Sequence, residues 1–118
     1  MLKNVLAFAG VRDIERAIRW YTMLLGRVPD KQPMTGLAEW KFEAGGWLQV
    51  NESKLAGRGS ITLVETDIDE RLQQLKKAGI DPRSVTRGEK VSVIIINDPD
   101  GNQIVFAQGK DASHGSTM

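Results

Sequence analysis

Few side chains in this 118-residue chain are equipped to move a proton or hold a metal. Cysteine is absent, which removes disulfides, thiolate ligands and thiol nucleophiles. The one histidine, His114, stands in the C-terminal tail, so neither a Ser-His-Asp triad nor a His-rich metal site is expected. Asp98 and Asp100 look like a carboxylate pair, but Asp-Pro-Asp-Gly is turn chemistry and both read as turn residues. Gly57-Arg58-Gly59 is not a phosphate loop, because no Lys-Ser/Thr continues it. What remains is aromatic and neutral polar. Phe8, Trp40 and Trp47 offer stacking surfaces; Gln49, Ser60, Thr62 and Gln103 offer hydrogen bonds. Each has a plain structural alternative. Trp47 also fits a core gap, Trp40 and Phe42 sit on a buried face with or without a ligand, and either glutamine can be satisfied by backbone groups.

Composition sets the frame for these residues. The length suits one domain, with residues 1–118 read as a single unit able to bury its own core. Hydrophobic residues make up 41% and charged residues 26%, which excludes disorder, coiled coil and collagen as global descriptions. Sixteen basic residues face fifteen acidic ones, for a net charge of +1, so no bulk field points to nucleic acid or an anionic membrane. The longest apolar run, at 5–11, is far shorter than the roughly 20 residues that cross a bilayer. The expectation is a cytoplasmic protein without nucleic-acid or membrane partners.

The elements that must position the candidates come from an internal repeat. Asp13-Ile14-Glu15 recurs as Asp67-Ile68-Asp69, 54 residues on, each time after a β-rich run and at the head of a helical pattern. In the first helix Ile14, Ala17, Ile18, Tyr21 and Leu25 form one stripe, with Asp13 as N-cap and Gly26 as stop. In the second, Ile68, Leu72 and Leu75 form the stripe, Asp67 and Glu70 resemble a capping box, and Gly79 ends the helix. Strand pairs follow at 37–42 with 47–50, and at 91–96 with 103–107. Their spacers, Glu43-Ala44-Gly45-Gly46 and Asn97-Asp98-Pro99-Asp100-Gly101-Asn102, carry hairpin chemistry. Weaker strand candidates lie at 31–34 and 84–87. The resulting plan is module one at about 2–50, a connector at 51–59, module two at about 60–108, and a mobile tail at 109–118.

Alternation along the strands sorts side chains onto two faces. Val5, Ala7, Ala9, Leu48, Val50, Ile61, Leu63, Ile104 and Phe106 suit helix packing. Leu6, Phe8, Trp47, Gln49, Ser60, Thr62, Gln103 and Val105 then share the opposite face. None of these eight is charged, so that face is expected to be neutral: able to grip a ligand, poorly equipped for proton transfer or metal binding. Trp20 and Met23 fall off the first helix's main stripe and are candidates for a subunit interface.

The segment Val11-Arg12-Asp13-Ile14-Glu15-Arg16-Ala17, with Trp20-Tyr21 and Leu24-Leu25-Gly26, resembles the first helix motif of the vicinal oxygen chelate superfamily. That group includes glyoxalase I, extradiol dioxygenases and bleomycin-resistance proteins. Asp98-Pro99-Asp100-Gly101-Asn102-Gln103-Ile104 resembles the hairpin before that family's last strand. The likeness covers residues 2–108. It implies an α+β fold of two βαβββ modules whose curled mixed sheets surround a cup, and a homodimer. It also implies a divalent metal whose ligand positions here are Leu6, Gln49, Ser60 and Val105. Two of those are aliphatic, and a carboxamide with a hydroxyl cannot hold a hard cation that needs about six oxygens.

The function expected from these readings is metal-free, cofactor-free binding of a small organic ligand, on the pattern of a drug-sequestering resistance protein. Phe8, Trp40, Trp47, Gln49, Ser60, Thr62 and Gln103 would make the contacts, with no catalytic residue. The alternative is a lyase, isomerase or dioxygenase; a metal-free version would need an acid or base such as Glu39 or Glu65.

Overall fold

The computed structural model describes residues 1–2 and 4–109. The tail expected to be mobile lies, from residue 110 on and including His114, outside the described residues. Gly109, counted with that tail from sequence, is instead the last residue of a strand. The elements run β1 (Leu6–Val11), α1 (Ile14–Leu25), β2 (Lys31–Met34), β3 (Leu37–Lys41), β4 (Trp47–Glu52), β5 (Ser60–Val64), α2 (Ile68–Lys77), β6 (Ser84–Arg87), β7 (Val91–Asn97) and β8 (Gln103–Gly109). The order is βαβββ twice. Two open four-stranded sheets result, β1-β4-β3-β2 and β5-β8-β7-β6, giving an α+β fold. The described residues form two compact units: Met1–Ile61 with Asp98–Asn102, and Thr62–Asn97 with Gln103–Gly109.

In the first unit, α1 begins where Asp13 accepts hydrogen bonds from the amides of Glu15 (3.1 Å) and Arg16 (3.2 Å), satisfying two donors that the helix cannot. It ends at Gly26, whose φ of 79° is left-handed and whose amide donates to the Thr22 carbonyl. The residues it buries are Ala17, Tyr21 and Leu24. Leu24 takes the place expected for Leu25, so Ile14 and Ile18 flank the buried stripe. The helix packs on β3 and β4. Beneath it lie Ala9, Val11, Ala38, Trp40, Leu48 and Val50, all fully buried. β1 runs parallel to β4, while β3 is antiparallel to both β4 and β2. β4 extends two residues beyond the expected 47–50, taking Asn51 and Glu52 from the connector.

The segment Asp98–Asn102 belongs to this unit although it joins two strands of the other. It turns, as its sequence requires: the Gly101 amide donates to the Asp98 carbonyl at 3.0 Å. The side chains of Asp98, Asp100 and Asn102 are nevertheless buried, which turn chemistry alone does not demand. The Asp98 carboxylate accepts from Tyr21 Oη (2.7 Å), the Asp100 and Asn102 amides (3.0 and 2.8 Å) and Asn102 Nδ2 (2.8 Å). Asn102 Nδ2 also donates to the Gly10 carbonyl at 2.7 Å, and its Oδ1 accepts from the Gly59 amide at 2.8 Å. Asp100 Oδ1 accepts from Arg12 Nη1 (3.0 Å) and Arg16 Nη2 (3.2 Å). Gly57 meets the same turn. A Cβ there would stand 2.3 Å from the Asp100 carbonyl oxygen, at a φ of +83° that side chains rarely adopt.

In the second unit, α2 buries Ile68 and Leu75, as its pattern predicts, and leaves Leu72 half-buried. Only half of the capping box forms. Asp67 accepts from the Glu70 amide at 3.1 Å, but the Asp67 amide turns to Glu65 Oε1. The Ile68 amide donates to Gln108 Oε1 at 2.7 Å, tying the helix start to β8. Glu65 also pairs with Arg71 at 2.7 Å, and the Arg71 guanidinium lies 4.8 Å over the Phe106 ring. Ile94, Ile96, Ile104 and Phe106 are buried in this unit. No helix among the described residues is long and apolar enough to cross a membrane.

Candidate functional site

Cross-strand register assembles the face of the first sheet opposite α1. Phe8 lies opposite Gln49, Gln49 opposite Glu39, and Glu39 opposite Lys31. The next row is Leu6, Trp47 and Lys41. Leu6 and Phe8 remain 44% and 43% exposed, a large apolar display for adjacent strand positions. Gln49 Nε2 donates to Glu39 Oε2 at 2.6 Å, which fixes the amide and leaves Gln49 Oε1 as its acceptor. The Lys31 and Lys41 ammoniums lie 5.4 and 5.8 Å from the centroid of the Trp47 ring, within cation–π range. Close by, Asp30 Oδ2 accepts from Arg27 Nη1 at 2.5 Å and from the Lys41 amide at 2.7 Å. The Arg27 hydrogen bond, then the Lys41 amide, holds that carboxyl below the usual carboxylate range.

This face is therefore not neutral, contrary to the sequence reading. β3 contributes Glu39 and Lys41 and β2 contributes Lys31, three charges that the sorting by faces omitted. The signal was present: once Trp40 is placed on the buried side, alternation puts Glu39 and Lys41 on the other. Trp40 itself lies on the helix side and not among the face residues. It is fully buried, its indole N–H donates to the Arg27 carbonyl at 2.9 Å, and its ring stands 6.0 Å from that of Tyr21. The structure thus separates Trp40 from Phe8, Trp47 and Gln49, because its neighbours in β3 must face outward when it packs inward.

The remaining candidates lie on β5 and β8. Ser60 and Thr62 are exposed on β5, and Gln103 is half-buried on β8, where Oε1 accepts from Arg83 Nη1 at 3.3 Å. On the second sheet the strand residues opposite the helix-facing Ile94, Ile96, Ile104 and Phe106 include Val93, Ile95 and Val105. That face is aliphatic and neutral polar, with Gln103, Ser84 and Thr86 beside those residues, where the first is aromatic and charged. Trp20 stands edge-on to Tyr21 at 5.0 Å and is half-buried, while Met23 is exposed.

Two grooves open elsewhere, each at the start of a helix. One, of about 370 Å³, is lined by Ile14, Glu15, Ile18, Gln32, Met34, Thr35, Gly36 and Leu37. The other, of about 220 Å³, is lined by Ile68, Asp69, Arg87, Gly88, Val91, Ser92, Gln108 and Gly109. They occupy matching positions in the repeat, but an Arg87–Asp69 ion pair of 2.6 Å spans the second. Neither is lined by Trp47, Gln49 or Phe8. Neither lining contains an aromatic side chain, and Asp69, Arg87 and Gln108 of the second are tied up in the Arg87–Asp69 pair and the Gln108 bond to Ile68, so the chemistry favours the Trp47 face.

The residues at the four positions implied for a divalent metal do not fit one. Leu6 and Val105 have no donor atom, and Gln49 Oε1 with the Ser60 hydroxyl supplies only two neutral oxygens where a hard cation needs about six. Among the described residues no three His, Cys, Asp or Glu side chains converge to hold a metal ion.

Two successive βαβββ runs, each an open sheet backed by one helix, define the class of fold. The chain belongs to the Glyoxalase/Bleomycin resistance protein/Dioxygenase superfamily, whose family model matches residues 5–106. Among solved structures it is similar to a glyoxalase/bleomycin resistance protein from Catenulispora acidiphila, with 31% identity, 89% of this chain and 96% of that chain covered, and a TM-score of 0.80. It shares the fold of TnmS3, an antibiotic binding protein from Streptomyces sp. CB03234 (20% identity, 93% and 98% covered, TM-score 0.80). It equally shares the fold of a lactoylglutathione lyase from Agrobacterium tumefaciens (17% identity, 92% and 94% covered, TM-score 0.77). No curated protein matches the chain.

Proposed function

We propose that this chain binds a small organic molecule without a metal and sequesters it, acting as a cytoplasmic homodimer. One observation carries the reading: a half-exposed indole, Trp47, stands in the same rows as exposed Phe8 and Leu6, beside the Gln49–Glu39 pair. Apolar area with a few fixed polar groups is what a ligand surface requires. Ser60, Thr62 and Gln103 are further proposed polar contacts. The antibiotic-binding relative of similar fold supports a binding role, and the open apolar patch at Leu6 and Phe8 supports a second copy as its cover. Native mass spectrometry of protein purified without chelator or affinity-tag metal tests both parts. The expected result is a metal-free dimer carrying an organic adduct, and the adduct is lost in Trp47→Ala. A bare monomer, or an adduct indifferent to Trp47→Ala, would contradict the proposal.

Glu39 favours a second reading, a metal-free lyase or isomerase. It is a carboxylate on the same face, oriented by Gln49 at 2.6 Å, as a general base must be oriented. In that case extracts containing the substrate yield product with the wild type, and Glu39→Gln abolishes it while Trp47-dependent binding persists. Equal product formation by Glu39→Gln would remove the reading.

A further inference from the structure

We infer that the ligand of the Trp47 face carries an anionic group beside a flat ring, and that Lys31 and Lys41 select for it. This deepens the binding role proposed above and rests on it. The two lysines come from different strands, β2 and β3, yet both bring their ammoniums within 6 Å of one indole. Neither forms an ion pair among the described residues. The acids nearest in register and sequence form no ion pair with either lysine, and the face carries two cations against one anion, Glu39. Glu39, opposite Lys31, accepts from Gln49, and Asp30 accepts from Arg27 and from the Lys41 backbone amide.

An ammonium held over an aromatic face keeps its charge and most of its donors free, since the ring offers only its quadrupole. A second ring laid against Trp47, Phe8 or Leu6 would thus meet two uncommitted cations at its edge. A carboxylate, sulfonate or phosphate on that ring completes them, whereas a cationic ring would face two like charges. The occupant to which the face is complementary is an aromatic anion.

Two fluorescent probes with the same ring skeleton isolate the charge: 8-anilinonaphthalene-1-sulfonate, and the uncharged N-phenyl-1-naphthylamine. Both are titrated against the wild type, the Lys31→Gln/Lys41→Gln double variant and Trp47→Ala. Exposed lysines whose side chains make no hydrogen bond are replaced at little cost to the fold, since the Lys41 backbone bonds survive the substitution. The double variant is expected to weaken the sulfonate probe about tenfold, the scale of two partly exposed charge contacts. The uncharged probe should change by less than about twofold, because it makes no such contact. If both probes bind, depend on Trp47 and ignore the lysines, the anion preference is wrong and the binding face stands. A double variant that weakens both probes equally also overturns the preference. If neither probe binds, or neither responds to Trp47→Ala, the binding face itself fails and the preference falls with it.

Discussion

Asp98→Ala is expected to lower the stability of the protein by about 3–5 kcal/mol, the range for breaking a buried, fully hydrogen-bonded charged group. The carboxylate accepts from Tyr21 Oη, from two backbone amides and from Asn102 Nδ2, all within 3.0 Å. Alanine leaves those donors facing a void that water cannot fill well. The measurement is urea unfolding followed by tryptophan fluorescence, with an unchanged denaturant slope showing that the native fold is retained. A loss below about 1 kcal/mol would mean that the turn relaxes to regain its partners. The phenol partner supplies an independent readout, because Tyr21 is the only tyrosine. Burial, then the adjacent Asp98 charge and hydrogen bond, push its pKa far above the usual value of 10.0. A raised value means that the folded state holds its proton more tightly than the unfolded chain. Stability from Tyr21 is therefore fully present below pH 10 and is lost as the pH climbs above it. Ultraviolet titration should show no phenolate until the protein unfolds.

Trp40→Ala is expected to cost about 3–5 kcal/mol as well, by a different mechanism. The indole is fully buried, so its removal loses both the transfer energy of a large side chain and the contacts around the cavity left behind. It also orphans the Arg27 carbonyl that accepts the indole N–H. Trp40→Phe keeps most of the volume and should lose roughly a third to a half of that amount. The same variant separates core from site. If Trp40 serves only the core, probe affinity in Trp40→Phe stays within about twofold of wild type while the unfolding midpoint drops. An affinity loss without a stability loss would return Trp40 to the ligand face.

The parts of the fold visible in the sequence were those encoded locally and by period. The ends of α1 follow from Asp13 and Gly26, and the faces of β1, β4 and β8 from alternation. One buried side per element leaves a regular signature, and it held except at Val5, which was expected against the helix but lies before β1 and is 77% exposed. β2 and β6 carried little signature for a physical reason. They are the edge strands of their sheets, all four residues of each are exposed, and Pro33 is tolerated where one side of a strand pairs with nothing. Only their pairing with β3 and β7 makes them strands. On the Trp47 face Glu39 and Lys41 were legible from their alternation with buried Trp40, whereas Lys31 was not, because it enters through β2, whose alignment with β3 is a tertiary fact. Burial of Asp98 was hidden more deeply still. Its turn geometry is local, but its phenol partner is 77 residues away. A carboxylate in a Pro-Gly turn looks solvated until the chain that covers it is known.

The turn at 98–102 also bears on the order in which the protein is made. The first unit takes its last residues from a point beyond most of the second. When the ribosome has released Ile61, the phenol of Tyr21, the guanidiniums of Arg12 and Arg16 and the Gly59 amide have no Asp98, Asp100 or Asn102 to meet. At roughly 5–20 residues per second, about 2–8 s pass before those partners emerge. The half that begins first is thus completed late, and a message that ends before Asn102 yields neither half whole.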